Sequence, residues 1–217
     1  MLKTHRHCQP WALLLVLLVP FAATAAEPAK PVAPKFDEVL ATVDTLRQLR
    51  GGGFTLYLRH GNTDNSRPDR VPAVDLDDCS TQRPLNEEGK AVAARVGEAI
   101  RRARIPFSEM HVSPLCRVRD TVAAAFPKVP HKVDKLLMYV ANLTDDQKAP
   151  IIARTRQLLS APVTAGSNRL VVAHAPNLME LIGYFPKEGT LVVFRPRESS
   201  FEYVASIPPA HWAGLLD

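Results

Sequence analysis

Short apolar runs alternate along this chain with longer segments whose apolar residues recur at helical spacing, and that alternation constrains the fold most. Phe54 to Arg59 is a β-rich run with glycine on both sides and reads as a buried strand. Asn86 to Arg104 follows as a helix. Asn86 can cap it, Glu87 and Glu88 suit its positive end, and Val92, Val96, Ala99, Ile100 and Ala103 line one face. Met110 to Val112 is a second strand, and Ser113-Pro114 opens the next helix, with Pro in its first turn. A short strand lies near His131 to Asp134. Thr144 to Gln147 has capping-box spacing, so a helix runs from there to about Ser160, interrupted early by Pro150. Leu170 to Ala173 is a strand, Asn177 to Tyr184 a helix, and Leu191 to Arg195 and Phe201 to Ile207 two further strands. Upstream, Phe36 to Arg50 has helical spacing and ends at Gly51-Gly52-Gly53.

Strands that alternate with helices predict a parallel sheet covered on both faces, an α/β/α sandwich. The last two strands have no helix between them, so an antiparallel edge strand is expected. Residues 62–85 form a long polar loop, and loops of that length are usually functional.

The N-terminal residues have a different character. Lys3 and Arg6 precede an unbroken apolar run from Trp11 to Val19, and an A-x-A site follows at Ala23 to Ala25. This is the layout of a secretory signal peptide, residues 1–25, whose core is short against the roughly 20 residues a membrane span needs. Residues 26–35 carry Pro28, Pro31 and Pro34 and read as a linker, leaving 36–217 as a single domain. The mature protein is expected in the periplasm or secreted, with no stable membrane span after cleavage. Removing residues 1–25 takes away two basic and no acidic residues, so the net charge falls from +5 to +3. So small an excess says little about partners, and no motif with interleaved aromatics points to nucleic acid. Two cysteines remain, Cys79 and Cys116, in a compartment that permits disulfides. Their separation does not suit a zinc knuckle. They are either bridged or two reduced, partly buried thiols. A bridge would tie the loop that carries Arg83 to the helix that carries Arg117.

In open α/β sheets ligands bind where strands hand over to helices. The residues at those points are Arg59-His60-Gly61-Asn62-Thr63, Ser113-Pro114-Leu115-Cys116-Arg117 and His174-Ala175-Pro176-Asn177. Together they supply two arginines, two histidines and two helix N-termini, a cage for a phosphoryl group. Positive neighbours disfavour imidazolium, so a histidine there keeps a free lone pair and can act as a nucleophile. The arginines offset charge as the phosphoryl group passes across, so neither metal nor cofactor is required.

The blocks LRHGNT at 58–63, QRPLNEEGKAVAARVG at 82–97, SPLCRVRDT at 113–121 and VVAHAPNL at 171–178 resemble the histidine phosphatase superfamily, also called phosphoglycerate-mutase-like. The resemblance covers roughly residues 54 to 195 and extends to a small, exported bacterial branch. It implies His60 as the nucleophile that forms a phosphohistidine, Arg59 and Arg117 as phosphate ligands, and His174 as the group completing the pocket. Arg83 is implied at the pocket rim, and Asn62 and Thr63 as weaker substrate contacts. The family's general acid has no counterpart: Ala175 follows His174, and residues 133–140 hold no Glu. Asp64 and Asp78, in the long loop, are the remaining candidates. The expected function is an exported, metal-independent phosphatase acting on a phosphorylated small molecule, glycan or peptide. The alternative is a non-catalytic phosphate- or phosphoglycan-binding module with a degenerate pocket. Export speaks against a mutase.

Overall fold

The computed structural model describes residues 36–70 and 74–217. The signal peptide and linker expected over residues 1–35 lie outside them. Among the described residues no helix is long and apolar enough to cross a membrane.

The elements run α1 (Val43–Gly51), β1 (Thr55–Arg59), α2 (Glu87–Arg102), β2 (Phe107–Val112), α3 (Cys116–Ala125), β3 (Lys132–Val133), α4 (Asp145–Ser160), β4 (Asn168–Ala173), α5 (Ala175–Ile182), β5 (Leu191–Arg197), β6 (Ser200–Ile207) and α6 (Trp212–Leu216). One six-stranded sheet has the order β3-β2-β4-β1-β5-β6. The pairs β3–β2, β2–β4 and β4–β1 are parallel, whereas β5 runs antiparallel to both β1 and β6. This is the expected mostly parallel sheet with antiparallel pairing at one edge.

Strand residues alternate between two cores because successive side chains point to opposite faces. Leu56, Leu58, Leu170, Val172, Leu191 and Val193 face the core that also holds residues of α1, α2, α3 and α6. Tyr57, Val171, Ala173, Val192 and Phe194 face the other, with Leu158 and Leu159 of α4 and Leu178 of α5. The central strands β1 and β4 are buried on both faces, which is why β4 reads as a continuous apolar run.

Several boundaries differ from the sequence expectation. The first helix begins at Val43, because the Thr42 hydroxyl accepts the Thr45 amide and ends the extended segment before it. That segment runs beside β6, where the Ala41 amide donates to the Ser206 carbonyl. Pro114 lies outside α3, whose N-cap is Leu115. Helix α5 starts two residues before Asn177, with Pro176 in its first turn. Pro150 does not interrupt α4. Its ring removes only the bond to the Asp146 carbonyl, which lies in the exposed first turn where water can replace it.

Two glycines let the loop after β1 approach α2. A Cβ on Gly61 would come within 2.4 Å of the Gly89 carbonyl oxygen, and one on Gly89 within 2.0 Å of the Asn62 carbonyl oxygen. At Asn62 the same loop meets the start of α2, where the Asn86 amide donates to the Asn62 carbonyl and the Asn86 side chain caps Gly89.

Candidate active site

The C-terminal ends of β2, β4 and β1 lie side by side, with Val112 opposite Val172 and Arg59 opposite Ala173. Each chain leaves the sheet at the next residue, which brings Ser113, His174 and His60 to one edge. The His60 and His174 ring centroids are 5.3 Å apart.

His60 is buried, and its Nδ1 lies 2.8 Å from the Gly61 carbonyl. A carbonyl only accepts, so Nδ1 carries the proton and Nε2 keeps its lone pair. Burial, and then the charge of Arg117, push the ring's pKa well below the ordinary histidine range. The ring is therefore neutral, with the Nε2 lone pair free. Its backbone is held by the Ala173 carbonyl and the Gly189 amide.

His174 is the N-cap of α5 and is fully buried. Its Nε2 lies 2.8 Å from Ser113 Oγ, while Nδ1 has no partner among the described residues. Burial and Arg117 also hold this ring neutral. The Tyr57 hydroxyl fixes its backbone from the adjacent strand.

Arg117 is the largest fully buried side chain described. Its Nη1 donates to Asp69 Oδ1 at 2.9 Å, while Nε and Nη2 find no partner among the described residues. Two buried guanidinium donors without acceptors cost about 1–3 kcal/mol each, so an anion that meets them binds with that much in its favour. The guanidinium also sits over the Tyr139 ring, 5.3 Å from its centroid. Arg59 donates to the Pro186 carbonyl at 2.6 Å and pairs with Glu188 at 3.3 Å, leaving its Nε unpartnered among the described residues. Arg83 donates to Asn65 Oδ1, its amide donates to Asp69, and its Nε is a fourth nitrogen without a partner among the described residues. The three arginines thus leave unpaired donors in one region, the condition for binding a tetrahedral oxyanion.

Asn62 reaches toward Glu188 Oε2 at 3.5 Å. Thr63 pairs through its backbone with Leu85 and closes the base of the long loop, its hydroxyl buried without a partner among the described residues. Asp64 and Asp78 are put to other use. Asp64 accepts from the Ser66 hydroxyl and amide, and Asp78 caps the turn at Ser80. Those hydrogen bonds hold both carboxyls below the ordinary range, the wrong direction for a proton donor. Cys79 and Cys116 form a disulfide, with Cα atoms 5.7 Å apart, so the loop is tied to the first residue of α3. Gln82 repeats the tie by accepting the Cys116 amide at 2.8 Å.

Sequence reasoning passed over Asp69, Ser113, Tyr57, Tyr139 and Glu188. Ser113 lies inside a strand-end block and could have been singled out there. The others stand in loops or on a strand interior, where nothing in spacing marks them.

The model of the histidine phosphatase superfamily (branch 1) matches residues 56–141, which include Arg59, His60, Arg83 and Arg117. Over that span the chain matches the histidine phosphatase superfamily. His174 lies beyond the matched span and joins Arg59 and His60 through the sheet. Among solved structures, the protein histidine phosphatase SixA complexed with tungstate is similar at TM-score 0.50 and 16% identity, over 72% of this chain and 97% of that one. The product of an open reading frame from Mycobacterium tuberculosis is similar at TM-score 0.50 and 16% identity, over 70% and 95%. At such identity the likeness speaks for the fold alone. No curated protein matches the chain.

Proposed function

We propose that this chain is an exported phosphoric monoester hydrolase that works through a phosphohistidine on His60. The observation that carries the reading is the set of Arg117 donors without a partner among the described residues, beside a neutral His60 whose Nδ1 is committed to Gly61.

The substrate phosphate accepts from Arg117 Nε and Nη2, from Arg59 and from His174. The Ser113 hydroxyl donates to His174 Nε2, so His174 Nδ1 carries a proton toward the anion. His60 Nε2 attacks phosphorus as the ester oxygen leaves, and the arginines offset the charge on the equatorial oxygens. Water then attacks the phosphohistidine, the P–N bond breaks, and phosphate departs. The arginines do the work a metal does elsewhere, so turnover needs no metal. Export rests on the signal-peptide pattern of residues 1–25. Phosphorylated small molecules, glycans and peptides all fit the reaction.

The test is hydrolysis of an aryl phosphate by the mature protein in EDTA, with His60→Ala as control. Wild type turns over, is blocked by vanadate and traps phosphate on His60, and the variant does none of these. Phosphate binding without turnover by wild type would favour the non-catalytic module instead.

A further inference from the structure

Each of the two strand-end arginines that meet the phosphate carries a carboxylate of its own. Arg117 Nη1 pairs with Asp69 Oδ1 at 2.9 Å, and Arg59 Nη2 pairs with Glu188 Oε1 at 3.3 Å. The carboxylates come from different loops, Asp69 from the one between β1 and α2 and Glu188 from the one between α5 and β5. Both are steadied by a second donor. Asp69 Oδ1 also accepts the Arg83 amide at 2.8 Å, and Asn62 Nδ2 stands 3.5 Å from Glu188 Oε2. In each pair the carboxylate takes one terminal nitrogen and leaves other donors open. Arg117 keeps Nε and Nη2, and Arg59 keeps Nε, without a partner among the described residues.

The cage therefore holds three guanidiniums, on Arg59, Arg83 and Arg117, and two carboxylates. Both imidazoles are neutral, so one net positive charge remains. From this pairing we propose that Asp69 and Glu188 are positioning residues with a second effect: they aim Arg117 and Arg59 at the phosphoryl group, and their charge keeps inorganic phosphate weakly bound, so that the product leaves rather than occupying the site. The inference rests on the phosphatase reading above. An attraction felt equally by ester and by free phosphate adds nothing to the chemical step and favours inhibition by product. The carboxylates offset that uniform part of the attraction while the directed donors stay in place. Being held by cations and N–H donors, they act as carboxylates throughout and give up no proton.

The experiment measures the Kd for inorganic phosphate by titration calorimetry on wild type, Asp69→Asn and Glu188→Gln, with kcat and KM for p-nitrophenyl phosphate on the same preparations. Each amide keeps an oxygen for its arginine and loses the charge, so the aim survives. Each variant should bind phosphate on the order of tenfold or more tighter than wild type. KM should fall with it, and kcat should not rise. Loss of a merely structural ion pair moves affinity the other way. Phosphate binding that is unchanged or weaker in both variants would make the carboxylates braces alone and overturn the proposal. Tighter binding in one variant only overturns it for the other residue. The Glu188 side chain is 29% exposed against 15% for Asp69, so Glu188→Gln carries the test should Asp69→Asn not fold. Tighter phosphate binding in the variants with no turnover of any ester by wild type supports the counter-charges and rejects the phosphatase reading. Turnover with His60 labelling and unchanged phosphate affinity in both variants rejects only the role of Asp69 and Glu188.

Discussion

The Tyr57 hydroxyl donates to the His174 carbonyl at 2.8 Å and accepts from the His174 amide at 3.1 Å. One side chain on β1 thereby satisfies both backbone groups of the residue that leaves β4 and caps α5. The contact is fully buried, and burial raises the phenol's pKa above its ordinary value, so the hydroxyl stays protonated. Tyr57→Phe leaves two buried backbone groups without a partner. It should lower stability by about 1–3 kcal/mol, measured by urea unfolding. The His174 backbone then loses its fix, so turnover of an aryl phosphate should fall more than phosphate binding does. A variant with wild-type stability and rate would show that the clamp is dispensable.

Acidity should destabilise the fold through its two neutral imidazoles. Both His60 and His174 are held well below the ordinary histidine pKa, by burial first and by Arg117 second. Below about pH 6.5 the unfolded chain therefore binds protons that the native state refuses, and stability falls as pH falls. The slope is at most about 1.4 kcal/mol per pH unit for each ring. Urea midpoints measured from pH 7.5 to 5 should drop steadily below pH 6.5 and flatten above it. His60→Gln should make the drop shallower, and an unchanged slope would mean that the His60 ring is charged in the native protein.

The disulfide should support both the fold and the site. Cys79 and Cys116 are 37 residues apart, and closing a loop of that length in the unfolded chain corresponds to about 4 kcal/mol in the chain-entropy model. Cys79→Ser, a change at an exposed position, should lower the denaturation midpoint, and dithiothreitol should do the same to wild type. The loop that carries Asp69 and Arg83 would then be held to α3 by hydrogen bonds alone, among them Cys116 to Gln82 and Arg117 to Asp69, so KM should rise. Insensitivity of both measurements to reductant would count against the tie.

Much of the fold was legible because its central strands β1 and β4 are buried on both faces, which leaves continuous apolar runs between helices of ordinary periodicity. Arg59, His60, Arg117 and His174 were legible for a related reason: a strand end in such a sheet is where a ligand binds, and local sequence marks strand ends. The start of α1 was misplaced because Val39 and Leu40 match a helical spacing while the Thr42 cap and the pairing with β6 decide otherwise.

By itself, the sequence determined which residues the sheet presents at its C-terminal edge, since alternation and strand length are local properties. Only the tertiary structure decided how those residues are charged and what faces them. The proton on His60 Nδ1 depends on the Gly61 carbonyl, and the unpaired donors of Arg117 depend on burial and on a single carboxylate 48 residues away. Asp69 has no distinguishing neighbourhood in the chain. It becomes the partner of Arg117 because folding brings the long loop against α3, and a contact at that separation leaves no periodic trace in the sequence.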